Sequence, residues 1–404
     1  GWSEPFRTDT LFSLSFPSTG SHVFRDSRLP LLLACFLVSG FAALIYQTAW
    51  TTQFSYVFGT SELAVATVLA AYMGGLALGA AVASRFAPRI RRPVLVYGLL
   101  ELGIALSALA IPAAIDASTS LYVAAFGGGE VLAGEGGLAR AVYYLASSFA
   151  ILLVPTTLMG ATLPLLIRHA VRRESEIGSR VAVLYAVNTL GAVGGTLLAG
   201  FVLLPALGLR GTIWVAIGGN VLVFAAAAAL ARGASILPPA ALPSRAASLS
   251  SASSWILPLI MISGAVSFTY EVMWTRLLAH VLGGSVYAFA TMLGSFLTGI
   301  AIGAALTARI ATSRESAARW FAWLQIGTGL FSLAAFFGVN AMPELAHAVS
   351  VRGWDPLLAD AAVAAATLLP STLCIGGTFP LAVRILARDE ASATAASGRV
   401  YAWN

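Results

Sequence analysis

Lysine is absent from this 404-residue chain, whose 23 basic residues are all arginine. Charged residues of either sign make up only 10% of the chain, and there are two cysteines. So little charge lies far outside the range of an ordinary soluble domain. Cys35 and Cys374 both fall inside apolar runs, which argues against a disulfide framework and against a thiolate metal site. No metal-spaced pair of histidines accompanies His280. The arginine excess gives a net charge of +6. It is scattered over short connections with no aromatic-interleaved basic surface, so nucleic acid is not an expected partner.

What the chain has instead is apolar length. Hydrophobic residues reach 58%, and mean hydropathy is +0.86. Runs of about 20 apolar residues, each enough to cross a bilayer, recur along the sequence. The expected spans are 29 to 50, 62 to 85, 93 to 115, 141 to 168, 181 to 206, 211 to 232, 255 to 277, 286 to 309, 318 to 340 and 358 to 385. Backbone groups in lipid must pair internally, so the expected fold class is an all-α polytopic membrane protein of about ten spans.

Residues 1–28 lack a continuous apolar core and are expected to form a cytoplasmic N-terminal tail. Arginines cluster after every even-numbered span: at Arg85 to Arg92, Arg168 to Arg180, Arg309 to Arg319 and Arg384 to Arg399. With Arg25 and Arg28, this bias puts the amino terminus and all these turns in the cytoplasm. Residues 233–254, rich in Pro, Ala and Ser, form a linker between a first membrane unit, 29–232, and a second, 255–404. "FGGGEVLAGEGG" and "MPELAHAVSVRGWDP" are expected as the longer external loops.

The two units repeat each other. "SGFAALIYQTAW" at 39–50 matches "SGAVSFTYEVMW" at 263–274, and Gly59 falls on Gly283. "GGLALGAAVASR" matches "TGIAIGAALTAR", with Arg85 on Arg309. "GATLPLLIRHAV" matches "GGTFPLAVRILA", and "LYAVN" matches "VYAWN". Both copies begin on the same side, the mark of a parallel repeat. The first copy continues beyond "LYAVN" for two more spans. The second unit is therefore expected to be incomplete, with the natural polypeptide continuing past Asn404.

These phrases resemble two families. The small-residue second helix with its arginine-rich turn resembles the six-helix halves of the major facilitator superfamily. "SGFAALIYQTAW", "SGAVSFTYEVMWTRLL" and "YAVNTLGA" look like the multi-spanning amino-terminal region of membrane-bound spermidine synthase-like proteins. The resemblance covers nearly all of residues 30 to 404. It implies duplicated six-helix units in a bacterial inner membrane, fused to an aminopropyltransferase domain that uses decarboxylated S-adenosylmethionine. The glycine-rich loop and acidic pair of such a domain are missing here, so no catalytic residue and no cofactor site is carried over. Any aminopropyl transfer belongs to a domain beyond residue 404.

Ionisable groups inside a bilayer are costly and few, which makes each a functional candidate. Glu101 lies roughly 12 Å into the third span, and Glu271 roughly 24 Å into the seventh, at the helical rise. On the repeat, Gln47 corresponds to Glu271 and Glu101 to Gln325, so each unit keeps one carboxylate and one amide. Tyr270, Glu271 and Trp274 share a helix face, and an acid flanked by aromatics suits an amine cation. Tyr46 and Trp50 repeat the aromatic part around Gln47. The alternative is that the polar residues are interhelical hydrogen-bonding groups, that the two tryptophans belong to an interfacial belt, and that Arg276 neutralises Glu271. Gly75, Gly79, Gly299 and Gly303 permit close helix approach. By resemblance, Arg85 and Arg309 could gate the cytoplasmic side. Pro164 and Pro380 are expected to kink their spans, with Thr162 and Thr378 offering hydroxyls to a cavity. Three functions remain open: the membrane region of a spermidine synthase-like protein, binding polyamine or another cation; a facilitator-like transporter of a cationic or small polar solute; and an accessory or scaffold subunit with protein partners.

Overall fold

The computed structural model describes residues 28–58, 62–127, 137–233, 236–238, 255–282 and 286–404. Every regular element among them is helical. The stretch expected as the first unit holds α1 (Leu29–Phe58), α2 (Glu62–Phe86), α3 (Pro93–Phe126), α4 (Gly137–Ala170), α5 (Ile177–Leu198) and α6 (Leu204–Arg232). The second holds α7 (Ile256–Leu282), α8 (Val286–Ile310), α9 (Arg314–Gly338), α10 (Met342–Val351), α11 (Pro356–Leu386) and α12 (Glu390–Trp403). Local sequence sets several starts. Pro93 opens α3, where its missing N–H costs nothing. Ser313 caps α9, and Asp389 with Ser392 forms a capping box on α12.

Nine helical stretches among the described residues are long and apolar enough to cross a membrane. The longest, Glu174–Arg232, contains two of the expected spans. A π-helical segment, Ala199–Leu203, joins α5 to α6, and Gly208 then breaks the helix with φ 65° and ψ −176°. Only glycine adopts that conformation freely. The chain reverses there, because Gly178 lies against Ala311 at the end of α8 while Gly233 lies against Arg28 at the start of α1. Residues 342 to 351, expected as loop, instead form α10. Pro343 sits in its first turn, where its fixed φ favours a helix, and Met342 is buried.

Within the first unit α2 packs on α4, α3 on α4, α1 on α5, and α6 on both α1 and α3; within the second, α8 packs on α11 and α9 on α11. Between the two stretches α5 packs on α8, and α12 packs on α2 and α4. Glycines set the closest approaches. A Cβ at Gly75 would collide with Thr156 and one at Gly79 with the Thr157 carbonyl, whereas Gly160 lies on the Leu76 carbonyl. At the corresponding places Gly299 meets Thr372, Gly303 meets the Leu373 carbonyl and Gly376 meets the Ile300 carbonyl. Gly40 on Asn188 and Gly264 on Asn404 make a fourth matching pair. Gly75, Gly79, Gly299 and Gly303 each sit at such a close contact.

The arginine-rich turns gather at one end. There Arg28 donates to the Gly233 carbonyl, Arg168 to the Pro238 carbonyl at 2.5 Å, and the Leu237 amide to the Arg91 carbonyl at 2.9 Å. These bonds tie the first residues of the linker to α1, α3 and α4.

Candidate functional site

Glu271 sits on the inward face of α7 with Trp274 and Leu278, and is 9% exposed. Around that face lie Met292, Leu293 and Phe296 of α8, with Leu44 of α1 and Tyr185 of α5 packed against the same cluster. The Glu271 carbonyl accepts a hydrogen bond from Thr275 Oγ1 at 2.6 Å. Among the described residues no hydrogen bond or ion pair is made by its carboxylate. An ionised carboxylate in such a setting is unfavourable by several kcal/mol without a counter-charge. The arrangement therefore suits capture of a cation or a proton.

Tyr270 is half-buried against the cluster that holds Trp274, and Trp274 is fully buried. On α1, the Tyr46 and Trp50 rings stack at 4.8 Å and 15°, both fully buried. The Tyr46 hydroxyl and Trp50 Nε1 have no hydrogen-bond partner among the described residues. Both tryptophans pack inside the protein, Trp50 at 0% and Trp274 at 1% exposure, whereas residues of an interfacial belt would keep exposed surface. Gln47 is also buried, on the α1 face next to that of Tyr46.

Glu101 belongs to a different place. It is completely buried in α3 and accepts from Ser39 Oγ of α1 at 2.6 Å and from Asn220 Nδ2 of α6 at 2.5 Å. Both oxygens are thus committed, and the group clasps three helices. Nothing in the sequence spacing could tie Asn220 to Glu101, 119 residues apart. Gln325, its counterpart in the second unit, is half-buried on α9. Glu101 and Gln325 are therefore not brought together with Glu271.

Arg85 and Arg309 are exposed at the ends of α2 and α8, without an ion-pair partner among the described residues. The charges that bridge the units are others. Arg384, 5% exposed at the end of α11, pairs with Glu174 of the turn before α5 at 3.3 Å. Beside it, Arg314 donates through Nε and Nη2 to the Ile385 carbonyl, at 3.0 and 2.8 Å. Thr162 and Thr378 spend their hydroxyls on the Met159 and Ile375 carbonyls of their own helices, at 2.7 Å each, rather than on a cavity. The side chain of His280, Gly59, Gly283 and most of "FGGGEVLAGEGG" lie outside the described residues. No cluster of metal-ligating side chains occurs among the described residues.

No protein-family model matches the chain. It is similar to polyamine aminopropyltransferase 1 of Streptomyces coelicolor, with 31% identity over 198 residues. That match covers 48% of this chain and 33% of the relative, so the chain spans about a third of the length of the curated relative it matches.

Proposed function

We propose that this chain is the membrane-embedded region of a spermidine synthase-like protein, built as a facilitator-like bundle that receives an organic cation at Glu271. The observation that carries the proposal is the buried Glu271 carboxylate, flanked by Tyr270 and Trp274 and without a protein counter-ion among the described residues. The similarity to an aminopropyltransferase makes a polyamine the natural choice of cation. Tyr270 and Trp274 add cation–π attraction, worth about 1 to 2 kcal/mol where the cation is desolvated.

Support for duplicated units comes from the four matching glycine contacts and from the paired seams, α5 with α8 and α12 with α2. The gathering of arginine turns at one end supports a bacterial inner-membrane protein with that end and the amino terminus in the cytoplasm. Aminopropyl transfer needs a soluble nucleoside-binding domain in addition to this bundle. Every regular element among the described residues is helical, and the proposal assigns them cation binding rather than the transfer step.

The same seams favour a second reading, a transporter, because two units joined along two helix pairs can rock about them. Uptake of labelled spermidine into proteoliposomes separates the two: flux above that of empty liposomes, lost in Glu271→Gln, supports transport, and binding without flux supports the receiving role. A protein that neither binds nor moves polyamine but is purified with stoichiometric partners is instead an accessory subunit.

A further inference from the structure

We propose that Tyr185, Phe379 and Tyr401 form an aromatic subsite for a second ammonium group, so that the membrane site takes an elongated dication rather than a compact ion. This rests on the reading of Glu271 as the ligand for the first.

The three rings form a row across the seam between the units. Tyr185 of α5 lies 4.7 Å from Phe379 of α11, tilted by 32°, and Phe379 lies 5.8 Å from Tyr401 of α12, edge-on at 74°. Phe379 is buried and both tyrosines are half-buried. Buried tyrosines ordinarily find a partner for the hydroxyl. Neither hydroxyl here has a hydrogen-bond partner among the described residues. Ring faces and free hydroxyl oxygens are what an alkylammonium group needs: a negative π surface and neutral acceptors.

Tyr185 links this row to the carboxylate. It packs at once on the cluster that holds Phe379 and on the cluster that holds Trp274. The depth of each end follows from the contact of Asn404 with Gly264. Tyr401 lies three residues before Asn404, Glu271 seven beyond Gly264, and both helices start at the arginine-rich end. Ten residues of helical rise separate the two ends by about 15 Å. A metal ion or short monoamine touches one end only, whereas a flexible chain with an amine at each terminus reaches both.

The test is competition against labelled spermidine on the purified protein, with α,ω-diaminoalkanes of increasing length and n-alkylamines of the same lengths. In wild type the longer diamines should compete about tenfold better than matching monoamines, the gain expected of one desolvated cation–π contact. Tyr185→Leu and Tyr401→Leu should erase that preference, while Tyr185→Phe and Tyr401→Phe, which keep the rings, retain most of it and report intact folding. Equal competition by monoamines and diamines in wild type overturns the subsite, as does an unchanged preference in both leucine variants. Glu271→Gln distinguishes the two ideas because it should weaken both series together. If it weakens neither while the leucine variants still lose the diamine preference, the aromatic row stands and the Glu271 reading falls. No saturable spermidine binding by the wild-type protein overturns both.

Discussion

Glu174, in the short turn before α5, and Arg384, at the end of α11, form an ion pair of 3.3 Å that joins the two units of the chain at their arginine-rich end. Arg384 is buried there and Glu174 is half exposed, so solvent screens the pair from one side only. Gly178 against Ala311 and Gly398 against Ala80 and Ser84 close the two seams at the same end. A double-mutant cycle with Glu174→Gln and Arg384→Gln should return a coupling of about 1 kcal/mol in thermal unfolding. It should shrink at molar salt. A coupling of zero at low salt would show that the pair does not hold the units together.

The Glu101 clasp is a matter of stability. Removing the Asn220 donor leaves a fully buried carboxylate oxygen unpaired, so Asn220→Ala should cost about 2 kcal/mol, within the range for a bond to a charged group. Ser39→Ala should cost less, and the double variant less than the sum, because both donors serve one carboxylate. Polyamine binding should survive in both single variants. A large loss of binding without loss of stability would move Glu101 into the ligand site.

Glycine contacts give a third prediction. Gly79→Val and Gly303→Val push a side chain into the Thr157 and Leu373 carbonyls, and each should destabilise by roughly 1 to 3 kcal/mol. Gly329 faces open space, so Gly329→Ala should be neutral or slightly stabilising. Thermal unfolding in one detergent, compared across the three variants, checks the order.

Tryptophan accessibility provides a fourth. Trp323 is 60% exposed and Trp274 only 1%. With brominated lipids, Trp323→Phe should reduce the quenchable fraction of the fluorescence and Trp274→Phe should raise it. The reverse pattern would return Trp274 to the lipid interface.

Much of this was legible in the sequence because hydropathy is a one-dimensional signal. The spans from Leu29 to Leu386, the small-residue contacts of Gly75, Gly79, Gly299 and Gly303, and the burial of Glu101 and Glu271 all follow from local patterning. What escaped depends on neighbours far along the chain. Asn220 finds Glu101 only when α6 folds back at Gly208, and Glu174 meets Arg384 only when the units associate. The burial of Trp50 and Trp274 escaped for a related reason, since a tryptophan near a helix end suits both a lipid belt and a core. Helix α10 is short and bounded by Pro343 and Gly353, and that composition resembles a loop until Met342 is seen packed inside.

The central claim is that Glu271 holds an organic cation. Equilibrium binding of labelled spermidine to the purified protein, wild type against Glu271→Gln, tests it most directly. The expected result is saturable binding in wild type, weakened about tenfold or more in the variant, the loss of a charge contact worth at least 1.4 kcal/mol. Equal affinity in two proteins of equal thermal stability would contradict it.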